Sequence, residues 1–145
     1  MLQKSEAFCA YQERCSSEVL AKLERMGAQE GEILLVLNSL IEHKFLDDAR
    51  FALAYAVGKL RIKHWGYNKI KQGLQLKKID PALILDALQK MYDQENYFGI
   101  LQQIADRKWR ELAKEKDPWT RKQKLYRFLA SRGFKFDEFS DLKFE

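Results

Sequence analysis

With 145 residues, 46% of them hydrophobic and 32% charged, the chain has the make-up of a folded globular protein and not of a disordered one. Two prolines and seven glycines are too few turn residues for a sandwich of many short strands, and the wealth of Leu, Ala, Lys, Glu and Gln favours helices. The net charge of +5 conceals an asymmetry: residues 1–50 hold six Lys or Arg against nine Asp or Glu, residues 51–145 twenty against twelve, so a basic body suited to a negatively charged partner follows an acidic head.

In chain order, the apolar periodicity and the stop signals predict helices at about 4–14, 16–26, 30–44, 48–64, 67–78, 81–92, 94–116, 118–131 and 137–143. The first residues, Met1 to Glu6, lack the apolar core of a secretory signal. No run reaches the roughly 20 apolar residues of a membrane span, and the longest, Ile33 to Leu37, reads as core. Cys9 and Cys15 fall about 120° apart around a helix and read as two separate buried or half-exposed thiols in a reducing compartment. A cytoplasmic location is expected. Ser16 or Ser17 is expected to cap the second helix, and Asp47 or Asp48 the fourth. Asp80-Pro81 and Asp117-Pro118 each put a capping carboxylate before a proline at the first helical position. Gly27 and Gly133 stand where a left-handed residue would end a helix.

The helix expected at 48–64 carries two apolar faces when projected at 100° per residue. Phe51, Tyr55, Gly58, Ile62 and Trp65 lie on one; Ala49, Leu53, Ala56 and Leu60 lie nearly opposite. Lys59 and Lys63 fall between the two and point out together. Two apolar faces mark a sandwiched helix that joins one repeat to the next.

An internal repeat organises these helices. Val19 to Gly27, Ile70 to Lys78 and Leu125 to Gly133 each show an apolar residue, a Leu four later and a stop four after that, at offsets of 51 and 55 residues. Such periods mark helical arrays. The expected architecture is all-α, with three tandem three-helix repeats forming an elongated, slightly curved array: an acidic first repeat over 1–46 and basic repeats over 47–92 and 93–145.

Motifs of catalysis are missing from the sequence. It has no Gly-rich phosphate loop, no His-Glu-x-x-His and no C-x-x-C pair, so no cofactor, no metal site and no catalytic residue is expected. His43 and His64 stand alone as surface or helix-terminal residues, and Asp47-Asp48 reads as a helix start. What remains is the placement of cations. From Lys59 to Lys78 there are seven Lys or Arg and no acid; from Pro118 to Lys135 there are six and again no acid. Trp65, Tyr67, Trp119 and Tyr126 are interleaved, a mixture suited to phosphate contacts and base stacking. The candidate binding residues are Lys59, Arg61, Lys63, Lys69, Lys71, Lys78, Arg121, Lys122, Lys124, Arg127 and Arg132. On the helix at 118–131, Leu125, Phe128 and Leu129 should face inward, with Lys124, Arg127 and Ser131 outward.

Four segments carry a family resemblance: Cys9 to Val19, Phe45 to Ala52, Gly58 to Ile70 and Arg121 to Phe134. In this order on three tandem repeats they resemble the RecX family of RecA modulators, over nearly the whole chain. The resemblance implies a non-enzymatic protein that lies in the groove of the RecA–single-stranded-DNA filament and limits ATP hydrolysis, strand exchange and co-protease activity. Its partners would be the RecA filament and single-stranded DNA, met directly or within the filament, with no membrane and no second copy of itself. The basic stripe would sit deep in the groove and the acidic first repeat would touch protein. Lys78 departs from the family pattern, where many relatives carry a glycine closing the helix. Two other readings stand beside this one. A general DNA-binding helical protein would bind non-specifically and with strong salt dependence; as a sequence reader it would need a recognition helix, and of the starts Ser17-Glu18-Val19 and Tyr67-Asn68-Lys69 only the second suits. A protein-interaction scaffold would make no nucleic-acid contact.

Overall fold

The computed structural model describes residues 1–144, and among these the structure is helical throughout, with no strand. The helices are α1 (Leu2–Tyr11), α2 (Ser16–Arg25), α3 (Glu30–Glu42), α4 (Asp48–Gly58), α5 (Tyr67–Leu76), α6 (Pro81–Gln94), α7 (Tyr97–Glu111), α8 (Pro118–Ser131) and α9 (Phe136–Phe139), with a π-helical turn over Lys59–Lys63 continuing α4. The chain forms two compact units, one of Met1–Tyr55 with Leu74–Ala87, the other of Ala56–Gly73 with the chain from Leu88 onward. In the first, α1, α2 and α3 pack on one another around Cys9, Val19, Leu23, Val36, Leu40 and Leu46. In the second, α8 packs on α7 and α9. No helix among the described residues is long and apolar enough to cross a membrane.

One local rule ends five helical segments. The described residues with positive φ are Gly27, Lys44, His64, Lys78 and Gly133. Each stands four positions after a Leu with 0% exposure: Leu23, Leu40, Leu60, Leu74 and Leu129. Four of the five close with the same hydrogen bond, donated by the residue after the left-handed one: Ala28 N to Leu23 O, Phe45 N to Leu40 O, Ile79 N to Leu74 O and Phe134 N to Leu129 O, at 2.9–3.3 Å. The left-handed residue turns the chain back beneath the buried Leu, whose enclosure contributes about 1.5–3 kcal/mol. The three sequence repeats obey this rule, with Val19, Ile70 and Leu125 also fully buried. Lys44 and His64 obey it too, although neither is a residue that announces a stop.

Capping follows the sequence in part. Asp80 Oδ1 accepts from Ala82 N at 2.8 Å and Asp117 Oδ2 from Thr120 N at 3.2 Å. Asp47 caps α4, accepting from Arg50 N at 3.1 Å. Asp48 instead accepts from the amide and hydroxyl of Ser16 at 2.7 and 3.1 Å, closing the start of α2 from outside it. The expected serine caps are therefore replaced: Cys15 is the N-cap, Glu18 reaches back to its amide, and the Ser17 hydroxyl donates to Lys77 O at 2.6 Å. Helix α7 is shorter than expected because the Asn96 side chain starts it by accepting from Gly99 N. The expected helix at 137–143 is reduced to the single turn of α9.

The two-faced projection of 48–64 holds in its middle and fails at Ala49 and Ile62. The π-helical turn advances each residue by less than 100°, so the register drifts, and Ile62 is 78% exposed in place of its expected inward position. Ala49 is also exposed, while Phe51, Ala52, Ala56 and Leu60 are buried. Cys9 and Cys15 are both buried free thiols, and burial raises the pKa of each.

Two measurements follow. Lys78 holds φ +59°, which a residue with a Cβ adopts at a cost. Lys78→Gly is expected to raise the urea midpoint by the equivalent of about 0.5–1 kcal/mol, the relief of that strain less the added freedom of the unfolded chain. For Glu18, burial works toward a higher pKa, but the Cys15 amide and the Lys77 ammonium, 3.1 Å away, outweigh it and hold the carboxyl below its ordinary value of 4.5. A carboxylate depressed on folding stabilises the fold above its unfolded pKa. That stability is present at neutral pH and is lost as pH falls through the 4.5 region and below. Thermal melts between pH 6 and pH 3 should show a smaller acid-induced drop for Glu18→Gln than for the unaltered chain.

Candidate nucleic-acid interface

Ten of the eleven candidate cations lie in the second unit; Lys78 lies in the first. The two acid-free runs meet there through backbone. Gly66 N donates to Arg132 O at 2.7 Å and Asn68 N to Gly133 O at 2.8 Å. A Cβ on Gly133 would fall 2.3 Å from Lys69 Cβ, and one on Gly66 would fall 2.6 Å from the Phe134 backbone nitrogen, so this approach needs glycine on both sides. The Arg132 guanidinium adds a hydrogen bond to Lys63 O at 3.4 Å.

A carboxylate at the base of the unit fixes its aromatic side chains. Glu138 accepts from the hydroxyls of Tyr92 and Tyr97 at 2.7 and 2.9 Å and from Lys135 N at 2.7 Å. Burial first, and Glu138 with it, pushes both phenols far above their ordinary value, so both remain proton donors to the carboxylate. The Tyr97 hydroxyl accepts from Tyr67 N at 3.0 Å. Gly66, Tyr67 and Asn68 thus spend their amides inside the unit. Three amides at the start of α5 are therefore already engaged and do not serve a phosphate.

The candidate cations separate by what already holds them. Arg61 is paired with Glu95, and Lys124 with Glu115 at 2.8 Å. Arg121 lies flat on Trp109, 3.8 Å from the ring centre, and donates to the Trp109 carbonyl. Lys59 and Lys69 both place their ammonium groups 4.8 Å from the Trp65 ring centre. Lys71 stands 6.0 Å from Tyr67 and Lys122 5.7 Å from Tyr126. Lys63, Lys122 and Arg127 are exposed. On α8 the inward Leu125 and Leu129 and the outward Lys124, Arg127 and Ser131 stand as the periodicity predicts, with Phe128 half-buried. Trp119 is 69% exposed, a bare aromatic surface at the start of α8.

The structure adds cations that the runs do not contain. Arg107, Lys108 and Arg110 on α7 join Arg132 and His64 around a cleft of about 490 Å³. A search for acid-free stretches passes them over because Asp106 and Glu111 flank them. Helical spacing is the signal that finds Lys108: Ile100, Ile104, Lys108 and Glu111 recur at intervals of four, four and three on one face of α7. His64, besides ending the π-helical turn, lines this cleft. Among the described residues no group of three or more His, Cys, Asp or Glu is placed to hold a metal ion.

Comparison with known proteins agrees with this architecture. The family profile described as "RecX, second three-helix domain" matches residues 47–88, and "RecX, third three-helix domain" matches residues 95–141. Proteins named Regulatory protein RecX are similar in sequence. One from Clostridium perfringens is 33% identical over 86% of this chain and 58% of its own length. One from Vibrio parahaemolyticus is 30% identical over 85% of this chain and 76% of its own. The chain thus spans somewhat over half the length of the clostridial relatives. The crystal structure of RecX from Lactobacillus salivarius superposes with a TM-score of 0.86 at 23% identity, covering 94% of this chain and 88% of that one. A second, titled crystal structure of regulatory protein RecX, gives 0.81 at 22%, covering 96% of this chain and 71% of that one. The fold is that of tandem three-helix repeats.

The glycine contact between the two runs supplies a direct test. Gly133→Ala places a methyl group against Lys69 at a φ of +96°. It is expected to lower stability by roughly 2–4 kcal/mol, the left-handed strain together with a core-type overlap. Guanidinium unfolding measures this, and a loss under 1 kcal/mol would show that the backbone approach is dispensable.

Proposed function

The chain belongs to the RecX family, and from that premise we propose that it is a non-enzymatic modulator of RecA, chiefly an inhibitor. It acts in the cytoplasm, lying in the groove of the RecA–single-stranded-DNA filament and limiting ATP hydrolysis, strand exchange and co-protease activity. The observation that carries this reading is the backbone junction at Gly66 and Gly133, which joins two acid-free runs in one unit. A polyanion is the natural counterpart of such a surface, since each phosphate met releases condensed counterions. The exposed Trp119 and the cation-flanked Trp65 suit unpaired bases better than a closed duplex. The acidic first repeat, 1–46, is assigned to the protein side of the groove.

Titration into a single-stranded-DNA-dependent RecA ATPase reaction tests this. Hydrolysis should fall with dose, and Lys63→Glu combined with Arg127→Glu should raise the half-inhibitory concentration about tenfold or more, the effect expected from losing two phosphate contacts and adding repulsion. Both positions are exposed, so folding should be unaffected. Absence of inhibition by the unaltered chain would remove the RecA assignment. Inhibition indifferent to the double reversal would remove only this choice of face.

A further inference from the structure

The cleft of about 490 Å³ beside α7 and α8 combines cationic and apolar side chains in one lining. Its size falls in the roughly 300–1,000 Å³ range of small-ligand sites. Arg107, Lys108, Arg110 and Arg132 line it against one carboxylate, Glu111. That carboxylate is held by Arg107 at 3.6 Å and Lys108 at 3.8 Å, so net positive charge remains. The remaining lining is Ile100, Ile104 and the half-buried ring of Phe128, with the exposed side chains of Gln103 and His64. Lys108 Nζ stands 4.7 Å and Arg132 Cζ 5.2 Å from the Phe128 ring centre, placing cation and aromatic surface within one nucleotide's reach of each other. A cleft for bare phosphate has no use for those apolar side chains, and a cleft for a neutral apolar ligand has no use for four cations.

We propose that this cleft receives one unstacked nucleotide of a single strand, its base against Ile100, Ile104 and Phe128 and its phosphate among Arg107, Arg110 and Arg132. The strand, and not a free nucleotide, is the occupant because the cleft is continuous with the two acid-free runs: Arg132 belongs to one, and its guanidinium bonds the carbonyl of Lys63 in the other. This rests on the reading of those runs as a nucleic-acid surface, and adds a point where the base itself is felt.

The test is fluorescence anisotropy with the full chain and two labelled strands of about a dozen nucleotides, one oligothymidylate and one abasic of equal charge. The unaltered chain should bind the base-bearing strand roughly fivefold or more tightly, the low end of what one stacked base contributes. Phe128→Leu, which keeps an apolar side chain but removes the ring, should reduce that preference about fivefold, weakening the base-bearing strand more than the abasic one. Gln103→Glu, at an exposed position that folding tolerates, should weaken binding of both strands by setting a carboxylate among the cations of the cleft. Equal affinity of the unaltered chain for the two strands would overturn the nucleotide site while leaving the charge-based surface standing. So would a preference that Phe128→Leu leaves unchanged. Thymidine monophosphate displacing the strand as effectively as unlabelled oligothymidylate would overturn the assignment to a strand. Displacement by an oligoglutamate peptide at equal concentration would assign the cleft to an acidic protein segment instead. Failure to bind either strand would overturn the cleft proposal and the nucleic-acid surface together.

Discussion

A buried leucine followed four positions later by a left-handed residue is the constraint on which the rest of this chain depends. The leucine fixes which face of its helix is inside, and the reversal fixes where the chain turns away. Because the two are coupled by one turn of helix, neither can shift without the other. Leu129 and Gly133 show what this achieves for function. The reversal at Gly133 brings the end of α8 against the start of α5 closely enough for carbonyl and amide to bond, and it is there that the two basic runs meet.

The sequence makes this rule visible at Gly27 and Gly133, where the residue type itself favours positive φ. It hides the rule at Lys44 and His64, because tertiary packing of Leu40 and Leu60 imposes a conformation that local preference would avoid. Lys78 stands between these cases, marked by the repeat register although not by its chemistry. The π-helical turn was illegible for a related reason: a periodicity argument assumes constant advance per residue, and one wider turn displaced Ile62 from inside to outside. Helix starts were legible where a carboxylate precedes proline. They were misread where the carboxylates of Glu18 and a distant Asp48 share the work that Ser16 and Ser17 seemed placed to do.

The interface was legible as composition and not as geometry. Counting cations along the chain found two runs, and the fold brings them together. Counting could not tell that Arg61, Arg121 and Lys124 are already engaged with Glu95, the Trp109 carbonyl and Glu115. Nor could it find Arg107, Lys108 and Arg110, whose acidic neighbours along the chain point elsewhere or are themselves paired. Linear charge runs and spatial charge clusters coincide only when a helix buries few of its polar positions. Helix α7 buries Leu101 and Ala105 alone among its last eleven residues, so its cations spread around the remaining faces.

Trp65 carries a consequence beyond stacking. With Lys59 and Lys69 each resting 4.8 Å from its ring, the indole holds two long side chains that would otherwise sample many rotamers. Ordering such a chain costs up to about 2 kcal/mol, and here part of that ordering precedes any encounter. A polyanion arriving at this surface therefore meets a template of charges at settled spacings, where a brush of mobile lysines would first have to be combed into place.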